Sequence, residues 1–535
     1  MSIFAIGLSG LRAAQSGLFA TSGNISNVGT PGYNRELVQL SENRAAGVLV
    51  NGVERQFNQF VATRLNAASG SLASFEAYHT QVKQIDNLLS DERAGLAPAM
   101  QEFFKAIGQV NSNPADPAAR AGVMGTAGTL TAQFRSFDNY LNDIERNIGN
   151  EITYEVNSIN SLNTQIASLN KEILLARSGG TEAPNSLLNQ RDQLVHELSQ
   201  KMDVRVYEQS SGSYSVSMSN GLPLVAGDKT YELEAQTDQA DPTRLAIVYT
   251  NATGQPIQLR ENVFSRGSLG GLLEFRSESL DTLRNQLGQM VAVFASAMNE
   301  QHQQGVDLNQ DPGQAMFSMG SPLTYSHSAN TGDATATTTI TDATALLATD
   351  FDVQLGPDGY QVTRLDNGKT VPATFDAATN TLSFAGVEVS FAGGAVAEGD
   401  RFKVRPLVNQ AKNFELELED GSQFAAAQSN ASGDNSNSLA LQELQNQLLV
   451  EGKGTFNQAY GSMVSTLGNQ INVVQANMAA QQGLTEQLYA LQQSESGVNL
   501  DEEAANLIRY QQYYQANAKV IETGSTILDT ILSLR

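Results

Sequence analysis

Asp307, Asn309 and Asp311 stand two residues apart, the spacing with which oxygen ligands open a calcium loop. The rest of that loop is missing. Pro312 occupies the sixth position, where Gly makes the sharp turn, and Ser318 stands where a bidentate Glu would close the cage, so an Asx-rich turn is expected instead. Asn367-Gly368-Lys369-Thr370 ends like a phosphate-binding loop, but Thr363 holds the place of its first Gly, which leaves a hairpin turn. Gly267, Gly270 and Gly271 lack the preceding strand, the full spacing and the later acid of a dinucleotide site, and read as a flexible re-entry from strand into helix. His79, His196, His302 and His327 lie far apart with no His-x-x-x-His pair, and Tyr510, Tyr513 and Tyr514 read as a packing belt. No nucleophile, base and orienting group come together, so the expectation is a protein that is not an enzyme, with no metal and no cofactor.

Composition narrows the class further. With 535 residues the chain is long enough for three or four domains. A net charge of -24 and a pI near 4.5 repel phosphate backbones, so nucleic acid is not an expected partner. The absence of Cys removes disulfides, thiolate catalysis and Cys-based zinc sites together. No apolar run approaches the roughly 18 residues that cross a bilayer, so a soluble chain with no membrane contact is expected. Met1 to Ala20 lacks a basic n-region and Arg12 interrupts its apolar stretch, which disfavours a cleaved signal peptide.

The elements that carry these residues alternate between two periods. Leu130, Phe134, Phe137, Leu141, Ile144, Ile148, Ile152, Val156, Ile159, Leu162, Ile166, Leu169 and Ile173 step by three or four, which predicts one very long amphipathic helix. Shorter helices are expected at 61–89, 97–110, 187–202 and 269–303, with a loop at 178–185, residues 34–60 irregular or extended, and helix again from 438 onward. The period falls to two at Val204, Val206, Tyr214, Val216 and Met218, and a Thr-rich second β block follows around 312–425. The fold class expected is α+β and multidomain: a long helical bundle or coiled coil formed by both chain ends and the central helices, with two β-rich inserted outer domains. The boundaries expected are 1–45 with 496–535 for a terminal helical core, 46–202 with 267–311 and 426–495 for a helical rod, 203–266 for a small β insertion, and 312–425 for a larger one.

Both ends carry heptad seams. Phe4, Leu11, Leu18 and Ile25 recur every seven residues with Gly7, Ala14, Thr21 and Val28 three places later. Leu500, Leu507, Tyr514, Ile521 and Leu528 do the same beside Ala504, Gln511, Ala518, Ser525 and Leu532. Large residues beside mostly small ones are the pattern of helices that pack lengthwise, so the nine large positions are the expected self-assembly residues. Their burial falls short of the entropy lost in ordering both ends. The ends are therefore expected to order only on contact with other subunits.

The run Asn24-Ile25-Ser26-Asn27-Val28-Gly29-Thr30-Pro31-Gly32-Tyr33, in which Asn24, Asn27, Pro31, Gly32 and Tyr33 carry the match, is similar to the N-terminal signature of the bacterial flagellar axial proteins, the rod, hook and junction subunits. Asn113 to Arg120, Asn189 to Leu194 and Ser496 to Leu507, continued by Ile508 to Leu534, resemble the hook-filament junction branch of that family. The resemblance implies a structural homo-oligomer that forms a ring at the hook-filament junction, between the flagellar hook protein and a second junction protein, hook-associated protein 3. It also implies export by the flagellar type III apparatus to an extracellular place on the flagellum, after a cytosolic export chaperone has held the C-terminal segment. A secreted adhesin or ligand-binding protein with a helical stalk is the other reading.

Overall fold

Pro117 opens the longest element, at the first helical position, where its fixed φ suits the helix and the N–H that it lacks would have no partner within it. Asp116 Oδ1 accepts the Ala118 N–H at 3.0 Å as the cap. From there the three-four stepping of apolar residues runs unbroken to Ser178, a helix of 62 residues. At 1.5 Å per residue that is a rod of about 90 Å. Leu130, Phe134, Leu141, Ile148, Ile152, Ile159 and Ile166 all lie on its buried face.

The computed structural model describes residues 3–43, 47–89, 95–178, 184–431 and 433–533. The loop expected at 178–185 falls mostly outside them. The helices are α1 (Ile3–Ser26), α2 (Gln59–Leu89), α3 (Leu96–Ser112), α4 (Pro117–Ser178), α5 (Asn185–Lys201), α6 (Gly267–Glu274), α7 (Asp281–Gln303), α8 (Ser436–Glu443), α9 (Phe456–Ser496) and α10 (Leu500–Ser533). A π-helical turn, Phe275–Leu280, joins α6 to α7. Of the two alternatives for residues 34–60, the extended one holds: β1 (Glu36–Asn43) and β2 (Gly47–Arg55) pair as antiparallel strands.

Strands between Val204 and Gln258 make a four-stranded and a three-stranded antiparallel sheet. Polar residues of α4 hold them in place. Asn170 donates to the carbonyls of Tyr214 and Gly227, and Asn160 donates to that of Leu233. A second β module has a five-stranded sheet that includes Phe351–Gly356 and Arg401–Arg405, and a four-stranded sheet that includes Thr335–Ile340 and Val387–Ala392. Phe351, Val353, Phe384, Phe391 and Phe402 fill the space between them. The α+β multidomain class read from the sequence is what the chain adopts, with helices at both ends and β modules between.

Phe294 on α7 is the hub of the helical core. Its ring lies 5.7 Å from Phe103, 5.4 Å from Phe317, 6.1 Å from Phe414 and 5.4 Å from Phe456, so one residue packs against α3, α9 and, through Phe317 and Phe414, the neck of the larger β module. The re-entry glycines stand where no side chain fits, and Gly267 takes a positive φ of 79°. A Cβ on Gly271 would collide with the Ser74 carbonyl of α2, and one on Gly270 would come within 2.8 Å of the Phe264 carbonyl, so these residues are small to permit close packing.

The remaining candidates for chemistry are spent on structure. The Asp307 carboxylate accepts the N–H groups of Asn309 at 2.8 Å and Asp311 at 2.9 Å, an Asx turn. Asn367 Oδ1 likewise accepts the Lys369 N–H at 3.0 Å. His196 pairs with Asn66, and the fully buried His302 sits at the neck of the larger β module. There its Nδ1 donates to the Gln314 carbonyl at 2.7 Å and its Nε2 accepts the Ala425 N–H at 2.8 Å.

That arrangement needs a neutral ring. Burial holds the His302 imidazole below its ordinary value of 6.5; the Gln314 bond and Asp307 pull it up, and Arg120 pushes it down. Protonation would turn Nε2 into a donor facing another donor. The contribution to stability is therefore full above about pH 6.5, and it is lost as pH falls through the lowered folded value. Urea midpoints measured between pH 7.5 and 5 are expected to fall, and His302→Phe is expected to flatten that slope. His79 and His196 are shifted in the same direction, so some slope stays. An unchanged slope in the variant would refute the assignment.

Candidate assembly interface

The two ends of the chain meet as an antiparallel pair. Ile521 packs over Gly7, Asn517 over Gly10, Tyr510 over Gly17, and Ile3 and Phe4 over Gly524. A Cβ on Gly7 would come within 2.7 Å of Ile521, and one on Gly17 within 2.5 Å of the Tyr510 ring, so the backbones approach as closely as glycine permits. The buried α1 positions are Gly7, Ala13, Ala14, Gly17, Ala20, Thr21 and Asn24. On α1 small residues line the seam, and Ile521, Asn517 and Tyr510 of α10 fill in against them.

Of the large heptad residues, Phe4 and Ile521 enter the seam, over Gly524 and Gly7, and the others flank it. Phe4, Leu11, Leu18 and Ile25 are half-buried, as are Leu507 and Ile521. Leu500, Tyr514 and Leu528 are 50%, 40% and 45% exposed. Next to them Phe19, Ile508 and Tyr513 also face outward. Past the point where Gly524 meets Ile3 and Phe4, α10 runs on to Ser533 and carries Ile527, Leu528, Ile531 and Leu532 on its surface. Apolar surface gathered on one paired element in this way marks a contact site.

Two expectations change here. The ends, expected to order only against other subunits, are helices paired within one chain, because the close glycine seam and a polar knot add interactions that the large anchors alone do not supply. And α1, in which no spanning run was expected, is 24 residues long and contains an 18-residue stretch with a mean hydropathy of 1.2, enough by length and composition to cross a membrane. Its Ile, Leu and Phe residues give that value, against Arg12, Gln15 and the Gly and Ser residues that lower it. Its small face packs on α10.

The polar knot lies at the base of the pair, where the Asn24 to Tyr33 motif turns the chain into β1. Asn24 is fully buried. Its Nδ2 donates to the Glu36 carbonyl at 2.9 Å and to Glu503 Oε2 at 3.1 Å, while its Oδ1 accepts the Tyr33 hydroxyl and the Glu36 N–H, each at 2.9 Å. Arg35 pairs with Glu503 at 2.7 Å and with Glu502 at 2.8 Å, and its N–H donates to the Ser496 carbonyl at 2.9 Å. Burial, then Glu36 and Glu503, push the Tyr33 hydroxyl up to about 12, so it stays a donor. Asn27 holds the turn through the Gly23 carbonyl and the Thr30 hydroxyl, Gly32 has a positive φ of 74° against Gln193, and Pro31 is exposed.

The knot continues into the body. Asn34 donates to Asn189 Oδ1 at 2.8 Å, and Arg55 of β2 reaches Asn189 at 3.0 Å and Asp192 at 2.5 Å, both on α5. Below it a cleft of about 750 Å³ opens between the Val28 to Asn34 turn, α2, α5 and the end of α9. Asn24 and Tyr33 stand in the sequence motif, and the structure brings them together. Arg35, Arg55, Asn189 and Glu503 carried no assigned role in the sequence. A signal for Glu503 was present, since it lies one heptad before Tyr510, in the phase that the small positions of α1 face.

Among known proteins, the flagellar hook-associated protein FlgK helical domain family matches residues 82–317. The flagellar hook-associated protein 1 D2-like domain matches 325–406, and the flagellar basal body rod FlgEFG protein C-terminal family matches 492–534. Flagellar hook-associated protein 1 of Escherichia coli is 39% identical over 99% of this chain and 98% of its own length. The protein of that name from Salmonella typhimurium is 38% identical over 99% of each, and that from Bacillus subtilis 24% identical over 98% and 96%. The solved structure of the flagellar hook junction protein FlgK from Burkholderia pseudomallei superposes with a TM-score of 0.75 at 28% identity, covering 80% of this chain and 99% of that one. By sequence along its full length and by fold, this chain belongs to the flagellar hook-associated protein 1 family.

Proposed function

We propose that this protein is a structural subunit of the bacterial flagellum that assembles with copies of itself as a ring at the hook-filament junction and connects hook to filament. The observation that carries this reading is the outward apolar surface of the paired α1 and α10, beside a glycine seam already filled within the chain. Phe4, Leu11, Leu18, Ile25, Leu500, Leu507, Tyr514, Ile521 and Leu528 border that surface and supply contacts to neighbouring copies. The partners are the hook protein on one side and hook-associated protein 3 on the other. The apolar end of α10 suits a cytosolic chaperone that covers it until type III export, with no cleaved signal. We further infer that 1–45 with 496–535 act as the axial core, and that the β modules at 203–266 and 312–425 stand outward from the rod.

The adhesin reading is not favoured, because its relatives in the flagellum match across the whole chain, β modules included. Cells lacking this protein are expected to make hooks, carry no filaments and shed flagellin into the medium. Filaments of normal number on such cells would refute the proposal.

A further inference from the structure

We propose that Asn24, Arg35 and Glu503 are a polar key that fixes the register of the antiparallel α1/α10 pair. The rest of the seam specifies register weakly. Gly10 and Gly17 are seven residues apart, and so are their partners Asn517 and Tyr510, so a slip by one heptad sets Gly17 against Asn517 and still places a large residue over a glycine. Flat, small-residue seams repeat themselves, and a single buried polar contact is the device that selects one alignment.

Asn24 and Glu503 meet in one alignment only. The Glu503 side chain is 1% exposed and takes hydrogen bonds from Asn24 at 3.1 Å and Arg35 at 2.7 Å. Slipped one way, Glu503 would lie against Gly17 with no donor. Slipped the other way, it would move beyond the end of α1 toward Pro31, and Asn24 would face the Tyr510 ring. Each slip strands a buried carboxylate or a buried amide, which penalises the wrong alignment instead of rewarding the right one. The bond from the Arg35 N–H to the Ser496 carbonyl ties the key to the end of α9, so register is set from the body outward. Register in turn decides how much of α10 extends past Ile3 and which apolar residues face outward. That last consequence rests on the function proposed above; the register does not.

The chain has no Cys, so introduced pairs report without background. In the purified full-length chain, Gly10→Cys with Asn517→Cys reads the observed alignment, and Ala14→Cys with Ile521→Cys, which the same one-heptad slip would bring together in place of Gly7 and Ile521, reads the slipped one. With the key intact, the first pair is expected to close under mild oxidation and the second is not. With Asn24→Leu and Glu503→Leu added, the slipped product is expected to rise until it rivals the native one. Glu503→Gln, which can still accept from Asn24, is expected to keep the native product dominant. Exclusive native cross-linking in the Leu/Leu chain, or ready slipped cross-linking with the key intact, would overturn the proposal. Loss of both products in the Leu/Leu chain would overturn it too, since the key would then hold the pair together without choosing its alignment. Failure of the junction proposal alone would leave these cross-links unchanged.

Discussion

Cells whose only copy of this protein lacks residues 500–535 are expected to carry bare hooks and release flagellin, while the shortened protein itself stays folded. The two outcomes separate because α10 is tied to the body at one end. Along its length it packs on α1, and at its base it enters the knot through Glu502 and Glu503. The body keeps its own supports. The α9 helix starts from a capping box in which Thr455 accepts the Gln458 N–H, and Phe456, Tyr460, Met463 and Leu467 are buried in the helical core. Loss of α10 uncovers Gly7, Ala14, Gly17 and Thr21, leaves Asn24 and Arg35 without their carboxylate, and removes the exposed Tyr514, Ile527, Leu528, Ile531 and Leu532. Electron micrographs of hooks, an immunoblot of the medium and a urea midpoint of the purified body read the three parts separately. Filaments on hooks would refute the assembly role of α10. A body that melts early would show instead that α10 acts by holding the chain together.

The second large effect lies far from the ends. Asp241, in the turn before the strand Leu245–Thr250, has a fully buried carboxylate that accepts from Lys403 Nζ at 3.0 Å and Arg405 Nη1 at 2.9 Å, both on the strand Arg401–Arg405 of the other β module. Arg405 also holds Asp350 at 2.9 Å. Nearby, Arg244 binds Asp281 of α7 at 2.6 Å, so both β modules and the helical core share one ionic cluster. Burial alone would raise the Asp241 carboxyl, yet Arg405 and Lys403 hold it well below its ordinary range. Asp241→Ala removes the anion that both Lys403 and Arg405 bond, a loss expected to cost about 3 to 5 kcal/mol. Asp241→Leu combined with Arg405→Met removes charge of both signs and is expected to cost less than the single change. Urea unfolding followed by the intrinsic fluorescence of the module tyrosines measures both. A loss under about 1 kcal/mol for Asp241→Ala would mean that the cluster is not a stabilising joint.

How much of this was legible beforehand depends on the distance over which each interaction acts. The 62-residue α4 was readable because its buried face follows from a local period, each turn repeating the constraint of the last. The Asx turn at Asp307 was readable for the same reason, since the carboxylate and the N–H groups that it accepts lie within four residues. The close packing of the re-entry glycines is not legible, because their partners, the carbonyls of Ser74 and Phe264, are not visible in a glycine-rich string. The terminal seams are legible as a heptad period whose small positions admit large ones, and Gly7 under Ile521 and Gly524 under Phe4 are such contacts. Period alone cannot say whether the helix that supplies the large residue belongs to the same chain.

By itself, then, the sequence determined the elements and their order, the absence of disulfide and thiolate chemistry, and the motifs at both ends that mark the family. Those features are local, written in spacing and residue type. Only the tertiary structure decided that the ends run antiparallel, that glycine and alanine line their seam, that Phe294 joins three helices to a β module's neck, and that Asp241 bolts one β module to the other. Each of these pairs groups far apart in the chain, and Asn24 and Glu503 stand 479 residues apart. No local period encodes such a meeting, because it is chosen by which buried polar groups find partners once the whole chain has packed.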